Sequence, residues 1–277
     1  MSGGRAATVA PGEPARLLGA VVEIVRRAGE AILEVYASAS IESTRKADAS
    51  PLTAADLASH RLILAALREL TPEWPVLSEE AAATPFEERR EWGAYWLVDP
   101  LDGTREFLAR NGEFTVNIAL IAGHDPVLGV VGVPVRDLIY TGIPGERATR
   151  TAGRGEPVPI ATRRPPASPV RVVGSRSHRG DSLEGFLGRI GPHELVPVGS
   201  ALKFCLVAEG GADVYPRLGP TSEWDTAAAQ AVLTAAGGAV RTLEGAPLRY
   251  NTKADVLNPS FLACGDVRRD WLRALRD

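Results

Sequence analysis

The sequence contains little cysteine, little histidine and no long apolar run. Of its 277 residues, two are cysteines and four are histidines. Two cysteines do not form a disulfide framework, and both Cys205 and Cys264 stand in short apolar runs, which indicate buried thiols. The histidines are scattered, which excludes a structural zinc site with clustered ligands. The longest apolar runs, such as VNIALIAG, are much shorter than the roughly 20 residues of a membrane-spanning helix.

The chain also has no large excess of either charge. Lysine and arginine total 31 and aspartate and glutamate total 34, which gives a formal net charge of −3. This balance gives no support for a protein that coats nucleic acid or an anionic membrane. The first 15 residues lack the continuous apolar core of a secretory signal. We therefore expect a soluble cytoplasmic protein, and leave open peripheral attachment to the inner membrane and the choice between monomer and homodimer.

Composition divides the chain into a leader and two larger parts. Residues 1–13 are rich in glycine, alanine and proline, and we expect them to form a disordered leader. Residues 14–165 predict an N-terminal α+β subdomain, and residues 166–277 predict a C-terminal α/β subdomain in which strands and helices alternate. The proline-rich polar stretch 161–169 is the candidate linker. Two subdomains that share a cleft are the expected architecture.

Hydrophobic spacing predicts the main elements. Apolar residues recur every three or four positions from Pro14 onward, which predicts a first helix, and Thr53 opens a second helix over Ala54–Leu70. Short apolar runs separated by turns between residues 94 and 143 predict an antiparallel meander. Further on, an alanine-rich helix over residues 223–236 ends at a Gly-Gly pair.

The sharpest chemical signal is the segment DPLDGT, residues 99–104, which follows a predicted buried strand over residues 94–98. Because proline and glycine bend this segment, Asp99 and Asp102 can converge on one point, unlike neighbours on a strand. Carboxylates and backbone carbonyls, such as that of Leu101, are the ligands that Mg²⁺ prefers. The alternative is an Asx-type turn, in which the aspartates only accept from backbone N–H groups.

Three further acids stand at the edges of predicted elements. Glu79 belongs to LSEE, Asp56 follows Thr53 in the second helix, and Asp225 belongs to SEWDT at the start of the alanine-rich helix. Each has a structural alternative: a solvated surface acid for Glu79, a capping box for Asp56 and a helix-dipole partner for Asp225. Taken together, these positions predict acids that converge on a cleft.

An acid cluster without histidine or cysteine ligands favours Mg²⁺ over zinc or iron. Two such ions about 3.5–4 Å apart can bind the attacking and leaving oxygens of an in-line phosphoryl displacement. Glu79 and Thr104 suit the activation of water, because a threonine hydroxyl can accept from water while it donates to a carboxylate. Backbone N–H groups after Gly103 can face a phosphate.

The motifs SPLTAAD, LSEE, DPLDGT and SEWDTAAAQAVLTAAGG lie in order within residues 45–265. They resemble the motifs of the lithium-sensitive, Mg²⁺-dependent phosphatase superfamily that includes the inositol monophosphatases. The resemblance implies an α/β fold, a layered αβαβα sandwich of the inositol monophosphatase or sugar phosphatase type. It implies two or three Mg²⁺ ions and water activation by Glu79, Thr104 and Asp56. The implied metal ligands are Glu79, Asp99, Leu101 through its carbonyl, Asp102, Asp225 and, for a weaker ion, Asp56.

DPLDGTREF and the later segments VGSRSH, GSALKF, VYPRLGP and PLRYN resemble the bacterial 3′(2′),5′-bisphosphate nucleotidase branch of this superfamily. In that branch three polar side chains bind the second phosphate, here Ser200, Lys203 and Arg217. The residues implied beside the nucleotide or its reacting phosphate are Ser175, Ser177, His178, Gly103, Thr104 and Asp225. The alternatives are a solvated Lys203, a surface salt bridge for Arg217 and a surface or capping role for His178.

The charge of the substrate supports this branch independently. A substrate with two phosphates needs a cationic site that a simple sugar monophosphate does not, and the planar guanidinium of Arg217 suits bidentate phosphate contact. The resemblance implies hydrolysis of adenosine 3′,5′-bisphosphate to AMP and phosphate, activity on 3′-phosphoadenylyl sulfate, inhibition by lithium and a role in sulfur metabolism. Inositol monophosphatase or fructose-1,6-bisphosphatase activity remains an alternative on the same scaffold. A non-catalytic nucleotide sensor is the alternative of another class.

Overall fold

The computed structural model describes residues 8–38, 43–45, 51–175 and 181–275. Within these ranges the helices are α1 (Glu13–Tyr36), α2 (Ala54–Leu70), α3 (Phe86–Arg89), α4 (Thr104–Leu108), α5 (Asp181–Ile190), α6 (Leu202–Ala208) and α7 (Ala227–Ala235). Short 3₁₀ helices cover Glu79–Ala81, Pro134–Arg136, Glu223–Asp225 and Leu272–Leu275. Residues 1–7 of the predicted leader lie outside the described part of the chain.

The strands form one large sheet, one smaller sheet and a short ribbon. The ribbon pairs β1 (Ser43–Arg45) with β2 (Pro51–Thr53). The large sheet has the order β3 (Val76–Ser78), β4 (Ala94–Asp102), β5 (Thr115–Ala122), β6 (Asp125–Val133), β7 (Leu138–Gly142), β8 (Ala148–Ala152) and β9 (Val158–Ile160). The smaller sheet has the order β11 (His193–Val198), β10 (Val170–Ser175), β12 (Val214–Arg217), β14 (Phe261–Cys264) and β13 (Ala239–Thr242).

Most strands of the large sheet pair with the next strand in the sequence. From β4 to β9 every neighbouring pair is antiparallel and sequential, so the predicted meander is confirmed, whereas β3 pairs with β4 in parallel. Short turns such as the one at Gly123, with a φ of 60°, connect these strands. Because β3 pairs with β4 in parallel, the residues that follow β3 stand beside the carboxyl end of β4.

Three apolar clusters stack the elements into layers. One cluster packs α1 and α2 on one face of the large sheet. A second cluster places α6 and α7 between the large and the smaller sheet. A third packs α5 and the Leu272–Leu275 turn on the outer face of the smaller sheet. The order helix, sheet, helix, sheet, helix is the αβαβα sandwich that the resemblance implies.

Helix α7 lies unusually close to the large sheet. A Cβ added at Gly129 of β6 would stand 2.0 Å from the carbonyl oxygen of Ala228, and one at Gly142 of β7 would stand 2.4 Å from the Cα of Val232. Only residues without a side chain allow the strands and the helix backbone to approach so closely. The alanine-rich sequence of α7 therefore fits its buried place between the two sheets.

Two predicted elements differ from the observed ones. The helix predicted over residues 223–236 is interrupted, because Glu223–Asp225 forms a 3₁₀ turn and Thr226, with a φ of −123°, separates it from α7. Strand β4 also continues through Asp102, where a bent loop was predicted. The two cysteines are free and buried, as predicted. No helix among the described residues is long and apolar enough to cross a membrane.

Candidate active site

An irregularity in β4 brings Asp99 and Asp102 together. In a regular strand, residues three positions apart point to opposite faces. Here Asp99 pairs with Asn117 and Asp102 with Thr115, so three steps along β4 face two steps along β5. This extra residue is a β-bulge, which changes the alternation and turns both carboxylates to the same side. The bulge replaces the predicted loop and explains how acids within a strand can converge.

The third acid of the cluster is Asp225, which arrives from the other side of the cleft. Its carboxylate accepts from the Thr221 hydroxyl at 2.6 Å and from the Ser222 amide at 2.9 Å, both at Oδ2. These bonds pull the side chain back toward the start of the 3₁₀ turn. Carboxylate oxygens of Asp99, Asp102 and Asp225 lie within 4.8 Å of one another. The structure therefore brings together three of the predicted metal ligands.

The other bonds of the first two acids fix their orientation. Asp99 accepts from the Leu101 amide at 3.0 Å, so the predicted Asx-type bond is present, but the carboxylate also faces the cluster. Asp102 accepts from the Ala201 amide at 2.6 Å, and Thr115 and Asn117 also donate to it, each at 3.4 Å. All of these donors to Asp102 bind Oδ2. The described residues thus hold one oxygen of this carboxylate in place, and the side chain belongs to the acidic cluster.

The three carboxylates repel one another in a buried setting. Burial is the largest cause that raises the pKa of Asp99 well above its ordinary value, and the charges of Glu79, Asp102 and Asp225 add to it. Burial and the charge of Asp225 raise the pKa of Asp102 to about 7. Burial also raises the pKa of Asp225. A cluster of this kind holds protons unless a cation replaces them, and hard oxygen ligands suit Mg²⁺.

Glu79 stands at the end of β3, as the first residue of the Glu79–Ala81 turn. Its carboxyl forms a side-chain hydrogen bond with Asp99, and its charge contributes to the raised pKa of that residue. Glu79 is therefore not the solvated acid of the structural alternative. The parallel pairing of β3 with β4 places it there, since both strands end at the same edge of the sheet.

Asp56 and Thr104 form a separate pair beside the cluster. Asp56 is fully buried, and its Oδ2 accepts from the amide and the hydroxyl of Thr53 at 2.8 and 2.6 Å, so the predicted capping box is present. Its Oδ1 accepts from the Thr104 hydroxyl at 3.3 Å. Ser59 of the same helix donates to the Pro100 carbonyl at 2.7 Å and ties α2 to the bulge that contains Leu101.

A buried lysine faces the acids from α6. Lys203 is 6% exposed, so the alternative of a solvated lysine is wrong. Its ammonium donates to the Ser200 carbonyl at 2.6 Å and lies 5.4 Å from the centre of the Tyr215 ring. Burial lowers the pKa of Lys203 to about 8, which the charge of Asp102 opposes. Arg217 ends β12 close enough to lower that pKa further, and it donates to the Pro220 carbonyl.

Of the remaining predicted residues, some lie in the part of the chain that the structure describes and some do not. Gly103, with a φ of 94°, ends the bulge and precedes α4, which begins at Thr104. Ser200 has a φ of 47°, in the left-handed region. Ser175 ends β10, but its side chain lies outside what the structure describes, as do Ser177 and His178 entirely.

Sequence reasoning missed the residues that hold the acids and the one that holds the turn at Gly199. Thr115 and Asn117 alternate along β5 and share a face, and this spacing is the signal that could have found them. Thr221 and Glu113 carry no such signal. Thr221 lies just outside the SEWDT motif, and Glu113 accepts from the Gly199 amide, 86 positions away in the sequence, at 2.9 Å.

The sequence and the fold both match known proteins. The model of the inositol monophosphatase family matches residues 13–271. Over 246 residues the chain is 50% identical to the 3′(2′),5′-bisphosphate nucleotidase CysQ of Salmonella typhimurium, covering 88% of this chain and 98% of that relative. It is 48% identical to CysQ of Escherichia coli K12, with the same shares covered.

A solved structure gives the same result. CysQ from Bacteroides thetaiotaomicron, described as a bacterial member of the inositol monophosphatase family, has a TM-score of 0.78 and 43% sequence identity. The match covers 91% of this chain and 97% of that one. An inositol monophosphatase from Anabaena, 24% identical with a TM-score of 0.71, shares the fold over 94% of this chain and 95% of its own. These matches confirm the resemblance and the fold class predicted from the motifs.

Proposed function

The chain belongs to the inositol monophosphatase family, and from this premise we propose that it is a Mg²⁺-dependent phosphohydrolase that converts adenosine 3′,5′-bisphosphate to AMP and phosphate. One observation carries the proposal: a buried lysine and an arginine stand next to a cluster of three carboxylates. The acids suit the metal and the reacting phosphate, and the cations suit a second phosphate. Relatives named as 3′(2′),5′-bisphosphate nucleotidases support a phosphatase that acts on bisphosphate nucleotides.

The donor set fits Mg²⁺. The cluster offers carboxylate oxygens and contains no sulfur or imidazole, and burial together with mutual repulsion raises the pKa values of Asp99 and Asp102. Two ions, with a third and weaker one near Asp56, are the proposed number. When bound, Mg²⁺ acidifies water and neutralises charge on the phosphate and on the leaving oxygen. The proposed ligands are Glu79, Asp99, the Leu101 carbonyl, Asp102 and Asp225, with Asp56 for the weaker ion.

The side chains beside the cluster prepare the water. Because the Thr104 hydroxyl donates to Asp56, its lone pairs remain to accept from the attacking water and orient it. Glu79 accepts a proton from that water while the water oxygen forms its bond to phosphorus. The bond from phosphorus to the 3′-oxygen breaks in line, and the 3′-oxygen gains a proton from solvent. The products are AMP and inorganic phosphate.

Lys203, Arg217 and Ser200 are the proposed contacts of the 5′-phosphate. The charges of Asp102 and Arg217 both act on the pKa of Lys203, and its ammonium is buried, so this cation stands near the acids without being exposed to solvent. Gly103, together with the start of α4, faces the reacting phosphate in this arrangement. The same contacts accept 3′-phosphoadenylyl sulfate, which carries its 3′-phosphate on the same ribose. We place the activity in the cytoplasm, in the disposal of a by-product of sulfate assimilation, with lithium as an inhibitor.

Steady-state kinetics with Mg²⁺ test the substrate. We expect the value of kcat/KM for adenosine 3′,5′-bisphosphate to exceed those for inositol 1-phosphate and fructose 1,6-bisphosphate at least tenfold. A tenfold preference for either sugar phosphate would overturn the nucleotide assignment and leave the phosphatase. Tight binding of the nucleotide without release of phosphate would instead identify a sensor.

A further inference from the structure

The turn of Gly199, Ser200 and Ala201 joins β11 to α6 and is fastened on both sides by acids from the other half of the molecule. Glu113 accepts from the Gly199 amide at 2.9 Å, and Asp102 accepts from the Ala201 amide at 2.6 Å. Charge-assisted hydrogen bonds of this kind are about twice as strong as neutral ones. The two amide groups that flank Ser200 are therefore both fixed from outside the turn.

The backbone of this turn needs such support. Ser200 has a φ of 47°, in the left-handed region that is unfavourable for a residue with a side chain. A strained residue of this kind persists only where its surroundings hold it. Gly199 is equally constrained, since an added Cβ would stand 2.7 Å from the Glu106 side chain and 2.8 Å from the Glu113 carbonyl.

The turn in its strained form directs Lys203. The ammonium of Lys203 donates to the Ser200 carbonyl at 2.6 Å, so the direction of that carbonyl decides where the charge lies. Lys203 is also the second residue of α6, whose start follows the turn directly. A turn that relaxed to an ordinary backbone conformation would redirect the Ser200 carbonyl and the first turn of the helix together.

We propose that Glu113 is a positioning residue, which holds the Gly199–Ala201 turn so that Lys203 and Ser200 can bind the second phosphate of the substrate. The inference rests on the proposed function. Glu113 is 8% exposed, and its carboxylate accepts from the Gly199 amide at 2.9 Å and pairs with Arg136 at 3.9 Å. It acts through the backbone and does not touch the substrate.

The charge of Glu113 allows two possible roles of this residue to be distinguished. If this residue acted only through its field, removal of a negative charge near an anionic ligand would tighten binding. If it acts through the Gly199 amide, removal of the acceptor loosens binding. Glu113→Gln keeps an acceptor oxygen at the same distance and removes only the charge, whereas Glu113→Ala removes both.

The test compares two nucleotides that differ only in the 5′-phosphate, adenosine 3′,5′-bisphosphate and adenosine 3′-monophosphate. Variants Glu113→Ala and Glu113→Gln are measured with Mg²⁺, and Glu113→Asp replaces the alanine variant if that variant does not fold. Glu209→Ala is the matched control, because Glu209 is a partly buried acid at the opposite end of α6 that accepts from Tyr140 and Arg150.

We expect Glu113→Ala to raise KM for the bisphosphate about tenfold, the size of effect typical for a lost hydrogen bond to a charged group. KM for the monophosphate stays within twofold, and Glu209→Ala behaves like the wild type. Glu113→Gln keeps a neutral and therefore weaker acceptor, so it should raise KM for the bisphosphate by no more than about threefold. Equal losses on both nucleotides, an unchanged or lower KM, or a glutamine variant as impaired as the alanine variant would each overturn the proposal. If the wild type hydrolyses neither nucleotide, the proposed function fails, and calorimetric binding of the bisphosphate then tests Glu113 by the same ratios.

Discussion

Replacement of Asp102 by asparagine should stabilise the metal-free protein while it abolishes catalysis. Burial and the charge of Asp225 raise the pKa of Asp102 from 3.8 to about 7 in the folded state. Each pKa unit corresponds to about 1.4 kcal/mol, so the ionised carboxylate costs the fold at most about 4 kcal/mol. Asp102 is partly open to solvent, which reduces the expected cost to about 2–4 kcal/mol. Asparagine keeps an acceptor for the Ala201 amide and carries no charge.

The sign of the pH dependence follows from the raised pKa. Above pH 7 the carboxyl is ionised in both the folded and the unfolded state, so the full cost is present. Below about pH 4 it is protonated in both states, so the cost vanishes. Between these limits the folded state binds more protons, and the wild type gains stability relative to Asp102→Asn as the pH falls. At pH 8 the variant should melt roughly 5–10 °C above the wild type in EDTA.

Thermal unfolding at pH 8 and pH 4, in EDTA and in Mg²⁺, measures all of these effects. We expect Mg²⁺ to raise the melting temperature of the wild type and not that of Asp102→Asn, and kcat/KM of the variant to fall by a factor of roughly 1,000 or more. Asp125→Asn, at a half-exposed acid that pairs with Arg249 at 3.6 Å, is the control and should change neither quantity. The reasoning is refuted if Asp102→Asn melts at or below the wild-type temperature at pH 8 in EDTA, or if Mg²⁺ stabilises both proteins equally.

Three other substitutions test separate parts of the site and fold. Lys203→Ala should raise KM for adenosine 3′,5′-bisphosphate at least tenfold in initial-rate assays and spare adenosine 3′-monophosphate; equal losses on both would make Lys203 structural. Thr104→Val should lower kcat about 100-fold and leave the Mg²⁺-induced rise in melting temperature intact, and a kcat within threefold of wild type would contradict the role in orienting water. Gly129→Ala should cost about 3 kcal/mol in denaturant unfolding, because its Cβ would meet the Ala228 carbonyl at 2.0 Å. The same change at Gly19 of α1, with nothing within 4 Å, should be neutral or stabilising, and equal effects at both glycines would contradict the close packing.

Local signals were sufficient where an element is controlled by its own residues. Helix α2 begins and ends where the sequence predicts, because Thr53 caps it and Asp56 completes the capping box. The meander of the large sheet follows from strands joined by tight turns, so sequential pairing needs no distant information.

Distant contacts decided what the sequence left open. The break at Thr226 depends on the bonds that draw Asp225 back to Thr221 and Ser222, and a pattern of apolar spacing does not register them. The bulge in β4 depends on the register with β5. Strand β14 pairs with β12 and β13 in the smaller sheet, and its short run SFLACG gave no indication of those partners.

The same division applies to the site. The acids were recognisable because each stands in a short motif at the edge of an element. The residues that hold the site in place were not recognisable, because they are distant in the sequence. Ala201 donates to Asp102 across 99 positions, and Glu113 accepts from Gly199 across 86 positions. Which residue bonds to which in a site assembled from both halves is a property of the packed layers.

The contact of α7 with β6 and β7 has a mechanical consequence for the cleft. Helix α7, which follows the turn that contains Asp225, packs with its backbone directly against the strands at Gly129 and Gly142. This side of the cleft therefore has no space into which it can move back. Any adjustment of the cleft must then come from the opposite side, where Glu79 follows a three-residue strand at the edge of the large sheet. The side of the cleft that contains Asp225 is therefore rigid, and any change in its width falls to the side that contains Glu79.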